Sequence, residues 1–181
     1  LSGPLELASG ETVTRMHTGE TLDDIERAFD PVKYGEVATK PVLDLWVPSV
    51  EDPSLCPPGH AVVSALVHGA SHQVDSDEAR EALADRAVAE LKRCCPSIDD
   101  RIVAREMLLP SDLASRFQLS GGHVHHIEHA PDQMLFMRPA VSCAHYRTPV
   151  DGLWLAGSGC HPGGGITGAP GLLAAQAFAR G

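Results

Sequence analysis

The sequence predicts an α+β fold, in which a mixed or antiparallel sheet packs against helices. Residues 42–47 and 61–67 have the composition of two successive strands, which favours an antiparallel pair. Residues 76–95 form the clearest helical pattern. The first 120 residues give the order β-β-α-β-α, which lacks the regular strand–helix alternation of a doubly wound sheet.

Two helices are predicted in the first half of the chain. Residues 21–29 form a short helix in which Thr21 is the N-cap. Residues 76–95 form a long helix that Asp75 or Ser76 caps. Its apolar stripe recurs every four residues at Ala79, Leu83, Ala87 and Leu91.

The strands follow from alternation and composition. Residues 42–47 place apolar side chains on one face and Asp44 on the other, which predicts a half-buried strand. Residues 61–67 are rich in valine and alanine. Residues 101–109 are predicted to form a further strand, and residues 111–118 a short helix.

The C-terminal part becomes small and apolar. Residues 152–156 predict a short buried strand, residues 157–168 a glycine-rich loop, and residues 170–178 a helix with Pro170 in its first turn. Strand, glycine loop and helix together place bare backbone amides against an anionic or polar group. An alternative is that the glycines serve only close packing.

Two other motifs overlap this loop. Gly163, Gly165 and Gly168 match the G-x-G-x-x-G spacing, but the 13 residues after Gly168 contain no acidic residue that could bind a ribose. Residues 161–165 resemble the HGGG segment of esterases, but the chain has no G-x-S-x-G nucleophile motif. We therefore favour neither a Rossmann first turn nor a hydrolase.

Six short motifs occur in one order, and together they resemble the C-terminal part of the phytoene desaturase-like FAD-dependent oxidoreductases. The branch is that of pyridine nucleotide-disulfide oxidoreductase domain-containing protein 2 and the phytoene dehydrogenase-related proteins. The resemblance is strong from Leu109 onward. The motifs are GGHVHH at 121–126, DQ at 132–133, RP at 138–139, YRTP at 146–149, GLWLAG at 152–157 and PGGGITG at 162–168.

The resemblance implies a partial substrate-binding domain over residues 1–140 and a flavin-contacting segment of the FAD domain over residues 141–181. The loop is expected to lie against the isoalloxazine and ribityl region of FAD. Many relatives have an acidic residue where this chain has Ser158, which puts a carboxylate contact there in doubt. The flavin-side candidates are Gly157, Ser158, Gly159, Pro162, Gly163, Gly164, Gly165, Ile166 and Gly168.

The implied reaction is hydride transfer to flavin from an apolar substrate, of a desaturase, dehydrogenase or isomerase type. A helix N-terminus near the flavin would stabilise negative charge on the reduced ring. His126, Arg138 and Tyr146 are the substrate-lining candidates. His126 and His161 are the candidate catalytic residues, although His161 could equally brace the loop.

A histidine cluster offers a second hypothesis, a non-catalytic metal-binding or interaction module. On a strand, His123 and His125 share one face, and a third ligand from a turn could complete a zinc site. The favoured interpretation is structural or substrate-lining histidine, with no metal. The cluster consists of His123, His125, His126, His129 and Glu128.

The bulk properties set the remaining expectations. The net charge of −10 argues against nucleic acid and anionic membranes as partners. Five cysteines without a framework indicate free thiols in a reducing compartment, the cytoplasm or alternatively the mitochondrion. A start at Leu1 without Met suggests a fragment that lacks its N-terminal FAD-binding half. Such a fragment would bind FAD weakly, be inactive alone, and expose apolar side chains over residues 152–175, where it could form a homo-oligomer.

Overall fold

The computed structural model of the protein describes residues 1–125 and 130–180. Internal contacts divide the chain into two compact units, Leu1–Ser111 and Asp112–Gly181. Helices and a small antiparallel sheet give the predicted α+β class. The functional boundary at residue 140 stays a prediction.

The first unit contains a three-stranded antiparallel sheet of order β1-β2-β3. The strands are β1, Arg15–His17; β2, Val37–Trp46; and β3, Ser64–Ala70. The antiparallel pair predicted from residues 42–47 and 61–67 is confirmed, although β3 begins three residues later. β1 was not predicted, because a strand of three residues carries too little alternation to stand out.

Four helices accompany this sheet. The predicted cap of α1 is present, since Thr21 and Asp24 form a reciprocal capping box. Ser76 rather than Asp75 caps α3, because its side chain accepts a hydrogen bond from the backbone N–H of Ala79 at 3.1 Å. The helices are α1, Leu22–Phe29; α2, Pro48–Glu51; α3, Asp77–Cys94; and α4, Ile98–Arg101, and a 3-10 helix covers Asp30–Tyr34.

The core of the first unit lies between β2 and α3. Alternate side chains of β2 and the apolar stripe of α3 are buried there. On the other face of β2, Asp44 and Trp46 are exposed to solvent, whereas Val42 is buried with Ala28 of α1. The buried residues at this contact are Leu43, Leu45, Val47, Ala87 and Leu91.

Two predicted strands are wrong. α4 covers Ile98–Arg101, and residues 102–109 are irregular and pair with no described strand. Their backbone is satisfied partly by a side chain, since the guanidinium of Arg80 donates to the carbonyl of Met107 at 2.8 Å. Residues 152–156 form only an isolated bridge between Arg147 and Trp154, because no described strand lies beside them.

The second unit is mostly turns and one long helix. α5, Pro110–Phe117, begins two residues before this unit and corresponds to the predicted helix 111–118. α6, Ala169–Ala179, confirms the predicted helix 170–178. Tyr146, Cys160 and Ala174 form its small buried core. Short 3-10 turns occupy Ser120–Gly122, Pro131–Gln133, Leu135–Met137 and Val141–Cys143.

Three further features bear on the expectations. In the described part of the chain, no helix combines the length and the hydrophobicity needed to cross a bilayer. All five cysteines carry free thiols, as predicted. Apolar side chains in the range 152–175 are exposed, as expected: Leu153 at 50%, Ile166 at 105% and Leu172 at 61%.

Candidate cofactor-binding loop

The first half of the glycine loop is held by its own backbone. The backbone N–H of Cys160 donates to the carbonyl of Gly157 at 2.9 Å, and that of Gly163 donates to the carbonyl of Cys160 at 2.7 Å. Gly163 has a φ of 102°, a conformation that glycine adopts without strain. These successive turns fix the path of residues 157–163.

Two side chains from earlier in the second unit brace the same loop. Arg138 is 2% exposed, and its Nη2 donates to the carbonyl of Ser158 at 2.9 Å. The hydroxyl of Tyr146 donates to the carbonyl of His161 at 2.9 Å. Arg138 and Tyr146 were predicted to line the substrate. Their contacts in this unit favour a role in positioning the loop, and a contact with substrate stays a prediction.

Burial sets the protonation of the groups beneath the loop. It raises the pKa of the Tyr146 hydroxyl, to which the nearby Cys160 thiol adds a smaller effect. Burial also raises the pKa of the Cys160 thiol. Both groups therefore stay protonated at neutral pH, and the Tyr146 hydroxyl keeps its proton for the hydrogen bond to His161.

Open space lies beside two glycines of the loop, Gly157 at its start and Gly164 in its second half. Both have φ angles outside the left-handed region, and a Cβ built at Gly157 would meet no atom of the described residues within 4 Å. At Gly164 the nearest atom is the Cβ of Ser158 at 4.0 Å. Neither backbone strain nor packing inside this chain requires glycine at these two positions. The alternative that the glycines serve only internal packing therefore fails there.

α6 begins at the end of the glycine loop. Its N-cap is Gly168, which offers no side chain, and its first turn contains no acidic residue. Pro170 lies in that first turn, where its lack of an N–H costs nothing. The partial positive charge of the helix N-terminus thus has no carboxylate within its own first turn, an arrangement that suits an electron-rich ligand group.

The structure brings the nine flavin-side candidates together in a single loop, with His161 half-buried among them. Their role as cofactor ligands stays a prediction. His126, the other catalytic candidate, lies outside the described residues, as do Glu128 and His129 of the histidine cluster.

The described part of that cluster is not the predicted strand. Val124 and His125 lie in a turn that follows the 3-10 turn at Ser120–Gly122. The backbone N–H of His125 lies 3.3 Å from Nδ1 of His123. Among residues 1–125 and 130–180, no group of three metal-ligating side chains is close enough to hold an ion.

A constellation in the first unit was missed. Asp44 bridges two histidines: its Oδ1 lies 2.5 Å from Nδ1 of His17, and its Oδ2 lies 2.7 Å from Nε2 of His68. These hydrogen bonds, first that of His17 and then that of His68, lower the pKa of the Asp44 carboxyl. The alternation of residues 42–47 indicated the open face of Asp44, but the partners depend on strand pairing across more than 20 residues.

Sequence comparisons place the chain among known proteins. No family model matches it. It is 37% identical over 161 residues to the mouse (Mus musculus) pyridine nucleotide-disulfide oxidoreductase domain-containing protein 2, and 35% identical to the rat protein. It is 31% identical over 140 residues to a lycopene-forming phytoene desaturase of Paracoccus sp.. It is also 31% identical over 153 residues to a carotenoid 3,4-desaturase of Haloarcula japonica.

These similarities confirm the resemblance that the motifs carried, and the chain is homologous to one segment of the phytoene desaturase-like proteins. Within this set, its identity is higher to the two mammalian proteins than to the two microbial ones. The matches cover 75–86% of this chain but only 27–30% of the relatives. The chain therefore spans less than a third of the length of the curated relatives that it matches.

Proposed function

We propose that this chain is part of an FAD-dependent oxidoreductase, in which residues 157–168 and the N-terminus of α6 contact the flavin. The parent activity would be the dehydrogenation or desaturation of an apolar substrate. The observation that carries the proposal is the open space beside Gly157 and Gly164.

Those two glycines fit a flat ligand that approaches the backbone closely. A Cβ at either position would project into space that the described residues do not fill, and that space would be available to a ligand. When bound, the flavin would supply the hydride acceptor. Gly157, Gly164 and their neighbours would bind and orient it through the backbone.

Charge supports the same assignment. The N-terminus of α6 has no acidic residue in its first turn, so its positive end would favour negative charge on the bound cofactor. Arg138 and Tyr146 would act as positioning residues, because they hold the carbonyls of Ser158 and His161 and thereby fix the shape of the loop.

The names of several relatives support an apolar substrate. They are desaturases of phytoene and of other carotenoids, and a dehydrogenase of limonene. All these compounds are hydrocarbons or largely hydrocarbon. A binding site for such a molecule would need few ionisable groups, because hydride transfer depends mainly on the positioning of the substrate.

The rest of the flavin site would come from polypeptide outside these 181 residues. The chain matches about 28% of the mammalian relatives, and the sheet of its described residues is antiparallel, without the parallel strand–helix–strand unit of a dinucleotide-binding fold. We therefore expect the isolated chain to bind FAD weakly and to be inactive. Stoichiometric flavin retention by the purified 181-residue chain would contradict this part of the proposal.

The test of the loop uses matched glycine substitutions in the flavin-containing protein of which this segment is part. Gly164→Ala places a methyl group where the flavin would lie, and we expect flavin affinity to fall about tenfold, or ~1.4 kcal/mol. Gly3→Ala is the control, because its Cβ would make only ordinary contact with Arg101, at 3.6 Å. Visible flavin absorbance after dialysis and a thermal melt are measured together.

Loss of flavin in Gly164→Ala with an unchanged melting temperature of the apoprotein supports the proposal. Equal flavin retention in the wild type and in both variants would overturn it, since the open space at Gly164 would then have no connection with the cofactor.

A further inference from the structure

Ile166, in the glycine loop, holds a backbone conformation that its side chain disfavours. Its φ is 57°, in the left-handed region, which a β-branched residue adopts only with strain. The described part of the chain has four residues other than glycine with a positive φ, and Ile166 is the only β-branched one. Glycine adopts this region freely, as Gly165 does at 111° and Gly168 at 69°. A glycine at position 166 would therefore make the same turn without strain.

Packing inside the chain does not account for the isoleucine. Its side chain is 105% exposed, so the described residues leave it uncovered. The neighbouring Thr167 differs, because its hydroxyl accepts a hydrogen bond from the backbone N–H of Ala169 at 3.2 Å and so belongs to the start of α6. Among residues 157–168, Ile166 is the one branched hydrocarbon side chain. Strain that local packing does not offset is typical of residues at ligand-binding and active sites.

The chemistry of the side chain limits what it contacts. Isoleucine has no hydrogen-bonding atom in its side chain, so its partner is apolar. The proposed flavin contacts at Gly157 and Gly164 use bare backbone and need no side chain. A second apolar body must approach the same place, because hydride transfer requires the substrate to lie against the flavin. A side chain that projects from the loop two residues after Gly164 fits as an apolar wall for that body.

We infer that Ile166 is a specificity-determining residue, whose side chain forms an apolar wall for the part of the substrate that reacts with the flavin. That part of the substrate is then hydrocarbon, since isoleucine offers no partner to a polar group beside the reacting bond. The inference rests on the proposed function and adds to it a residue that touches the substrate. It assigns the strain at position 166 to substrate binding and not to the fold.

The first arm of the test separates substrate binding from folding, in the 181-residue chain. Ile166→Gly removes the side chain and the strain together, so we expect the urea midpoint to be unchanged or higher. Leu135→Gly is the matched control, because Leu135 also lies in the second unit, has a φ of 52° and is 61% exposed. A lower midpoint for Ile166→Gly than for Leu135→Gly would show that the isoleucine packs within the chain, and would overturn the inference.

The second arm measures binding in the flavin-containing protein of which this segment is part. Limonene, a small hydrocarbon, is titrated into the protein, and the change in the visible flavin spectrum reports its affinity. We expect saturable binding to the wild type, about tenfold weaker binding to Ile166→Gly, and no change in Leu135→Gly. Ile166→Val keeps a branched apolar side chain and should retain most of the affinity. Flavin absorbance after dialysis should be equal in the wild type and in all three variants.

Equal limonene affinity in the wild type and in Ile166→Gly overturns the inference, as does the absence of saturable binding to the wild type. Loss of flavin from Ile166→Gly also overturns it, because the side chain would then hold the cofactor and not the substrate. The proposed function fails separately, through flavin retention in Gly164→Ala. Flavin loss in Gly164→Ala together with unchanged limonene binding in Ile166→Gly refutes only the role of Ile166.

Discussion

Removing one hydroxyl from the buried core of the second unit tests how its loop is held. Tyr146→Phe deletes the hydrogen bond to the carbonyl of His161, which spans 2.9 Å, and keeps the ring in place. Tyr146 has a φ of 71°, but phenylalanine has the same backbone strain, so that cost cancels. One such bond contributes about 0.5–1.5 kcal/mol net. We therefore expect the unfolding free energy to fall by about 1 kcal/mol, and the melting midpoint by ~4–8 °C for a unit of this size.

Thermal and urea unfolding followed by circular dichroism measure this change. Tyr34→Phe is the matched control, since Tyr34 is 82% exposed and its hydroxyl is solvated; we expect no measurable effect. If the two variants behave alike, or if Tyr146→Phe is the more stable protein, the hydroxyl does not brace the loop and the account of its rigidity is wrong.

Two further predictions concern the first unit. Gly69→Ala should destabilise it by about 2–4 kcal/mol, because the added Cβ would overlap that of Ala38 and Gly69 has a φ of 107°. Gly10→Ala is the control: Gly10 has a φ of 86° and lies in open space, so the change should cost only ~1 kcal/mol. Both changes are measured in the same urea titration. Asp44→Asn should flatten the acid limb of a stability–pH curve. Hydrogen bonds to His17 and then His68 hold the pKa of Asp44 below 3.8, so its contribution is complete above that pH and is lost as the pH falls through the lower folded value. An acid limb that Asp44→Asn leaves unchanged would show that the bridge contributes nothing.

Local signals predicted the four helices of eight or more residues, but not the two helices of four residues, α2 and α4. The cap and charges of α1 and the four-residue stripe of α3 lie within one short stretch of chain, and the structure reproduces both. Pro170 and the apolar residues after it were likewise sufficient for α6. In each case residues within the helix or directly beside it determine its stability.

One strand prediction that depends on distant partners was wrong, although the antiparallel pairing of β2 with β3 was predicted correctly. Residues 101–109 have the composition of a strand, but a strand forms only where another strand accepts its hydrogen bonds, and Arg80 supplies one of those bonds instead. Amino-acid composition does not reveal that a side chain takes the place of a neighbouring strand. The bridge of Asp44 to His17 and His68 was missed for the same reason, because β1 and β3 bring these residues together from distant parts of the sequence.

The glycine loop lies between these two cases. The loop and the helix after it follow from local signals and were predicted. The strand predicted at residues 152–156 is replaced by an isolated bridge. The bracing by Arg138 and Tyr146 was not predicted, since hydrogen bonds from side chains to distant carbonyls leave no periodic trace in the sequence. Both residues had been singled out, but as substrate-lining candidates.

Hydrogen–deuterium exchange of the peptide covering residues 157–168, in the parent protein with and without bound FAD, tests the central claim most directly. Our account predicts that FAD slows exchange across residues 157–168 and the start of α6, while the peptide covering β3 is unaffected. Exchange in residues 157–168 that is identical with and without FAD would contradict it.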